Sequence, residues 1–359
     1  MEPLKIEAAH VFRVSISVKA MGMEDGEAVK ESVVVNLISS SGVNGWGCAC
    51  PIEEATGETA EAAIEAIGGK LEPALRGMPE RPVMELLEAV ENAAPEAPAA
   101  RAAFDIALYD IWSKMLETPL VCLLGQCRTS IRTSAAVEIS DPNTTVLEAG
   151  DQIENGYKII KLKSGGDFAE DIESIEAVRR DYGRGVPLRF DACGGYTEEQ
   201  AMELIEKTGD SLKLLEQPVA AGETEALLRI CEKSPAPVVA DESAVKPEEA
   251  AELLRLGVPV IKVKLMKHGG IWPSMRICDA ARTFGGRVIV GCGEETPVSA
   301  AAAAHLALSR PSVEYADLEG RLKSGRYVVS SGMRVRDGVV TVAMRSGLGV
   351  EIRRNVLRR

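Results

Sequence analysis

Charged residues recur along this chain at an interval that suits chemistry better than structure. Lys161 and Lys163 form a K-x-K pair, Asp191, Glu216 and Asp241 follow, and Lys262 and Lys264 repeat the K-x-K pattern. From Lys163 to Lys264 the successive intervals are 28, 25, 25 and 23 residues. A strand alternates faces at every residue, so both ammonium groups of a K-x-K pair project from one face. Three carboxylates with no histidine or thiolate in register make an oxygen-rich site suited to a hard divalent cation, for which magnesium is the natural choice. Lysines flanking such a cation, each crowded by a second amine, are expected to be driven towards the neutral form and to act as bases near neutral pH. Two bases facing one carbon can remove a proton and return it, while the cation holds a substrate carboxylate and stabilises the enediolate left by loss of the α-proton. One charge at a strand end is an ordinary solvated terminus. Five in succession are hard to obtain that way.

These side chains converge only if the strands that carry them lie side by side. Eight short β-type runs return at a spacing near 25 residues: Ile131 to Glu138, Lys158 to Lys163, Pro187 to Asp191, Leu212 to Glu216, Pro237 to Asp241, Val258 to Lys264, Arg287 to Gly291 and Ser312 to Asp317. Amphipathic segments between them, among them Phe168 to Asp181, Glu198 to Thr208 and Ile271 to Thr283, are long enough for crossover helices. No G-x-G-x-x-G follows the first run, and the repeat is too even for a sheet with a switch point. The pattern predicts the α/β class, as a modified TIM-type (β/α) barrel with its chemistry at the C-terminal strand ends. Before Gly125 the chain reads as α+β, with strands at Val14 to Val18 and Ser32 to Ser39 and two or three helices from Glu61 to Met115. The expected division is a capping domain at 1–125, a barrel at 126–320, and a tail at 321–359 whose strand-like pieces, Tyr327 to Val335 and Val339 to Met344, rejoin the capping domain.

Composition narrows the function further. The 359 residues carry 41 Lys and Arg against 54 Asp and Glu, a net charge of -13, so nothing in the overall charge favours nucleic acid or another polyphosphate. The N-terminal stretch has no basic-then-apolar leader pattern, and Val298 to Leu308 is too short to span a bilayer, so a cytoplasmic protein with no membrane partner is expected. Eight cysteines without a CxxC pair and three histidines disfavour zinc fingers and disulfide scaffolds.

The motifs TGET at Thr56 to Thr59, ARAAFDIALYD from Ala100 to Asp110, PLVCLLG before the barrel, KLK at Lys161 to Lys163, RFDA ending at Ala192, LLEQP around Glu216, ADES around Asp241 and VKLMKHGG around Lys264 resemble those of the enolase superfamily. The likeness is to its muconate lactonizing enzyme subgroup and, within that, to the dipeptide epimerases. It covers nearly the whole chain. The resemblance implies that Asp191, Glu216 and Asp241 bind Mg2+, and that Lys163 and Lys264 are the acid/base pair on the two faces of the substrate. Lys161 is implied as the helper that lowers the pKa of Lys163 and touches the bound carboxylate, a structural counter-ion being the other reading. Dipeptide epimerases look like they hold the substrate's α-ammonium group with D-x-D after the eighth strand. This chain has Asp317-Leu318-Glu319 there, so Asp317 and Glu319, with Glu295, are the substrate-binding candidates.

The implied reaction is inversion of the α-carbon in the C-terminal residue of a dipeptide. Muconate cycloisomerases and o-succinylbenzoate synthases share the same metal and lysines, so a carboxylate without an amine is the rival substrate. Departures from the subgroup pattern also suggest a catalytically retired metal-binding homologue. Cys193 stands where Asn is usual, and Lys262, where Asn is common, adds a second ammonium to its wall; Gly293, where Met is expected, followed by Glu294 and Glu295, implies a roomier and more acidic site. The partner is a small molecule, and the sequence leaves a homo-oligomer open.

Overall fold

The computed structural model describes residues 3–19, 27–318, 332–353 and 357. Strands β1 (Ile6–Lys19), β2 (Glu27–Ser39) and β3 (Asn44–Ala49) form an antiparallel sheet in that order, with Val14 opposite Ser32 and Asn36 opposite Trp46. β1 and β2 run well beyond the expected spans, and β3 is unannounced in the sequence because two of its first four residues are glycines. Those glycines have a packing reason. A Cβ on Gly45 or Gly47 would lie 2.1 Å from the Ala107 carbonyl oxygen or 1.8 Å from that of Ala103, so only glycine lets the helix Pro98–Met115 settle on the strand.

That helix is buried nearly all round, and its two aspartates are the cost of holding the fold together. Asp110 accepts from the backbone N–H groups of Trp46 and Leu348, each at 2.9 Å, and from Lys114 Nζ at 2.6 Å. Asp105 accepts from the N–H groups of Ile271 at 2.5 Å and Trp272 at 3.2 Å, the first turn of the helix Ile271–Phe284. It satisfies donors that a helix start leaves unpaired. Glu58 of the TGET turn does the same for Ala99 and Ala100 at the start of the helix Pro98–Met115. These motifs therefore join elements to one another.

After the short strand β4 (Ile131–Arg132) come eight parallel strands: β5 (Ala135–Glu138), β6 (Ile160–Lys163), β7 (Leu188–Asp191), β8 (Leu214–Glu216), β9 (Val238–Ala240), β10 (Val260–Lys264), β11 (Arg287–Gly291) and β12 (Val313–Asp317). They pair in sequence order, and a parallel bridge from Thr133 to Ala316 joins the two edges, so the sheet curls into the expected barrel. The first predicted run, Ile131 to Glu138, is split at Thr133 and Ser134. Its opening pair leaves the barrel to join β13 (Met333–Arg336) and β14 (Val339–Val342) in a separate antiparallel sheet. The C-terminal strands thus differ from expectation: their described parts pair with Ile131 and Arg132, and not with β1 to β3, because β4 offers a free edge beside them. After the hairpin the chain meets the N-terminal part, where Leu120 donates to the Gly347 carbonyl and Leu348 to Asp110.

Among the described residues no helix is long and apolar enough to cross a membrane. His305, in the buried helix Pro297–Ser309, accepts from the Val121 N–H at Nδ1 and faces the Leu348 carbonyl with Nε2. Burial lowers its pKa to about 4. The unfolded chain takes up this proton near pH 6.5 and the folded one only near 4, so the stability it contributes is complete above about pH 6.5 and is lost as pH falls towards 4. Between about pH 7.5 and about pH 4.5, urea unfolding of a His305→Gln variant should show a loss of stability smaller than the wild type's by about 2 kcal/mol. Equal losses in both proteins would contradict this assignment.

Candidate active site

Alternation along the barrel strands sorts the interior into layers. Leu214, Val239, Val260, Ile289 and Tyr315 form one buried apolar cluster inside the barrel, and two residues further along the same strands stand Glu216, Asp241, Lys262, Gly291 and Asp317. Glycine at 291 makes room for lysine, since a Cβ there would lie 2.6 Å from Lys262 Cε. The floor is apolar and the mouth is charged.

The structure brings Lys161, Asp191, Glu216 and Asp317 into one buried network. Lys161 Nζ lies 2.8 Å from Asp191 Oδ2, 2.7 Å from Glu216 Oε1 and 3.5 Å from Asp317 Oδ2. Lys262 Nζ reaches Glu216 Oε1 at 3.3 Å and forms a shorter contact with Asp317 Oδ2. Asp241, the residue after β9, is held by Lys264 Nζ at 2.6 Å and Lys267 Nζ at 2.7 Å. Lys163 ends β6 in register with Glu138 on one side and Asp191 on the other, half-buried at the mouth. In the strand order β6 and β10 are separated by β7, β8 and β9, so Lys163 and Lys264 stand on opposite walls with the three carboxylate strands between them.

At Lys161 and Lys264 the neighbouring carboxylates reverse the expected lowering of the lysine pKa. Burial works against the Lys161 ammonium, but Asp191, Glu216 and Asp317 outweigh it and raise its pKa well above the usual lysine value. Lys264 is also raised, Asp241 and Glu242 overcoming its desolvation. Carboxylates answer the crowding of amine by amine. Burial and the neighbouring Asp191 charge push the Glu216 carboxyl up to about 7, whereas Lys264 and Lys267 overcome burial to hold Asp241 well below the ordinary aspartate value.

The donor set suits a hard cation: three oxygen-only carboxylates on neighbouring strands, with one oxygen of the adjacent Glu242 buried and unpartnered. Among the described residues no group of three or more His, Cys, Asp or Glu is arranged to hold a metal ion, for Lys161 bridges Asp191 and Glu216 while two other lysines occupy Asp241.

Orientation comes from groups the sequence reading passed over. Asp191 Oδ1 accepts from the Cys193 backbone N–H at 3.0 Å, so main chain supplies what the missing asparagine amide was expected to give. Cys193 has φ 52°, a left-handed conformation that asparagine adopts more readily than cysteine. Gln217 Oε1 accepts from the Asp241 N–H at 2.8 Å. Arg189, two residues before Asp191 and so on the same face, donates to Asp317 Oδ1 at 2.7 Å, and Ser134 Oγ donates to the same oxygen at 2.5 Å. Alternation alone could have flagged Arg189. Lys267 has no periodic signal, because it lies on the short helix Leu265–His268.

Asp317 thus reaches the mouth with both oxygens engaged, and Glu319 lies outside the described residues. Glu295 is buried beside Cys50, and burial pushes its carboxyl up to about 8. Glu294 pairs with Lys30 of β2 at 2.5 Å. Neither carboxylate stands free at the mouth: burial works against the charge of Glu295, and Lys30 pairs with Glu294. Nor is there open space beside Gly293, where a Cβ would lie 2.6 Å from Ile52 Cδ1, contributed by the N-terminal part.

Comparisons with known proteins agree with this architecture. Residues 8–125 match the model of the mandelate racemase / muconate lactonizing enzyme N-terminal domain, and residues 145–356 match that of the enolase C-terminal domain-like family. The chain is 34% identical to an L-Lys-D/L-Arg epimerase of Desulforapulum autotrophicum over 323 residues, covering 89% of this chain and 91% of the relative. The structure of the L-Ala-D/L-Glu epimerase from Bacillus subtilis superposes with a TM-score of 0.91 at 30% identity, covering 96% of this chain and 98% of that one. The dipeptide epimerase of Enterococcus faecalis, complexed with Mg and L-Leu-L-Tyr, gives 0.89 at 29% identity, with 97% and 99% covered. The chain belongs to the mandelate racemase / muconate lactonizing enzyme family of the enolase superfamily, and it is an isomerase of that family.

Proposed function

We propose that this enzyme is a magnesium-dependent dipeptide epimerase that inverts the α-carbon of the C-terminal residue by 1,1-proton transfer between Lys163 and Lys264. The observation that carries the proposal is the placement of those lysines on opposite barrel walls with the carboxylates of the three intervening strands between them. Asp191, Glu216 and Asp241 would hold the magnesium, which when bound supplies the positive charge that a carboxylate-bearing substrate requires. In one direction the free amine of Lys163 takes the α-proton and the Lys264 ammonium delivers a proton to the opposite face of the enediolate; the reverse direction exchanges the roles. Lys161 positions Asp191 and Glu216, and residues 1–125 would cap the barrel at 126–320, with the tail 321–359 tied to that cap where Gly347 and Leu348 meet Leu120 and Asp110. The Mg-containing structure and the substrates named for the relatives support this reading.

Asp317, with Glu319, is assigned the substrate's α-ammonium. The grip of Arg189, Lys262 and Ser134 on Asp317 favours a second reading with the same proton chemistry, on a carboxylate whose nitrogen carries no charge. Exchange in deuterated water separates the two. Incorporation into free dipeptides supports the first, and incorporation only into N-acylated amino acids or amine-free carboxylates supports the second.

Replacing Lys163 or Lys264 with Ala should reduce epimerisation by at least about a thousandfold, while each variant still exchanges the α-proton of one enantiomer. Mass spectrometry of the recovered substrate reads this out, and full epimerisation by either variant rules out two opposed bases.

Carboxylates that must share ammonium groups gain from a cation, so magnesium should raise the melting temperature and chelation reverse the gain along with activity. Asp241→Asn should abolish the magnesium-dependent shift. A chelated enzyme with full activity excludes the proposed role for the metal.

Side-chain preference rests on the segment from Met21 to Glu27, which carries three acids, two methionines and no cation; residues 21–26 of it lie outside the described residues. Such a segment repels an anionic side chain, so dipeptides ending in a hydrophobic or cationic residue should show higher kcat/KM than Ala-Glu. A side-by-side kinetic comparison that favours Ala-Glu overturns this.

A further inference from the structure

At the opposite end of the barrel, where the strands begin, the chain gathers positive charge that the reaction does not use. A cavity of about 640 Å³ is lined by Arg128, Arg132, Arg282 and Arg287 together with one carboxylate, Glu314. The arginines come from separate places: Arg128 and Arg132 flank the entry to the barrel, Arg282 ends the helix Ile271–Phe284, and Arg287 opens β11. In a protein of net charge -13, four arginines among the residues lining one cavity is a local reversal of sign. Glu314 lies 3.5 Å from Arg287, and Arg128 is anchored by donating to the carbonyls of Ala307 and Val313. Arg132 and Arg282 are exposed and form no ion pair with any described residue. Like charges set around a cavity repel one another unless an anion joins them, and planar guanidinium forks match the oxygens of a phosphate group.

We propose that this cavity is a binding site for a small phosphate-bearing anion, separate from the proton-transfer site. Arg132 and Arg282 contact the phosphate oxygens, with Arg128 and Arg287 holding the walls. The volume lies within the range of small-molecule sites, and the net charge of -13 disfavours an extended polyanion such as a nucleic acid. The two sites lie at opposite ends of β11, whose length from Arg287 to Gly291 is about 13 Å at the usual rise per residue. The inference stands independently of the substrate and the metal.

Calorimetric titration of the full chain with inorganic pyrophosphate tests it. Saturable one-to-one binding is expected, weakened about tenfold or more in the Arg132→Gln, Arg282→Gln double variant and by a smaller factor in each single variant. Proton exchange should be unchanged in all three, since neither arginine touches the barrel mouth. Lysines also line that mouth, so pyrophosphate that binds the double variant as tightly as the wild type is bound there, and the proposal fails. It fails equally if the wild type shows no saturable binding, or if citrate binds more tightly than pyrophosphate.

Discussion

Burial of charge inside the barrel is the constraint on which the rest of the structure depends. Lys161, Arg189, Lys262 and Lys267 face Asp191, Glu216 and Asp241 with almost no access to water, and Asp317 joins them half-buried at the rim. An ammonium or carboxylate alone there would cost several kcal/mol, so every member needs its partner at hydrogen-bond distance. That requirement fixes the strand register. Shifting one strand by a single residue would turn its charge outwards and strand the partner. It also explains the apolar floor of Leu214, Val239, Val260, Ile289 and Tyr315, which fills the barrel beneath the network and leaves the charges only the mouth.

The same network was largely legible in the sequence, because alternation and the regular spacing of strands are both one-dimensional signals. K-x-K, the three carboxylates and the eight runs needed nothing else. What escaped reading depends on contacts between distant segments. Arg189 and Ser134 matter through Asp317, more than 120 residues away along the chain. Lys267 reaches Asp241 from a helical turn that has no strand periodicity. β3 was hidden because Gly45 and Gly47, which lower strand propensity, are required by a helix packed against them. The C-terminal hairpin misled for a related reason: a strand pattern says that a segment will pair, and leaves its partner to the geometry of open edges.

Residue type also proved weaker evidence than backbone conformation at Cys193. An asparagine side chain was the expected support for Asp191, yet the left-handed turn at this position aims the backbone N–H of Cys193 at the carboxylate. The turn supplies the donor whatever its side chain. Acidity at Glu294 and Glu295 likewise follows from surroundings and not from composition, one carboxylate being paired with Lys30 and the other buried with its pKa raised.

These distinctions separate the parts of the molecule that can change from those that cannot. The charges at the barrel mouth are bound into mutual pairs, so replacing one leaves another buried without compensation. The wall formed by the N-terminal part is under no such restriction. Ile52 packs beside Gly293 through apolar contact, and Lys30 meets Glu294 at the half-exposed rim. Substitutions there alter shape or surface charge without opening the ion-pair network, while Asp105 keeps the helix Pro98–Met115 fixed to the barrel helix Ile271–Phe284. The buried charge network therefore belongs to the barrel alone, whereas the N-terminal wall meets the barrel mouth through the apolar contact of Ile52 and the rim ion pair of Lys30 with Glu294, neither of which shares a partner with that network.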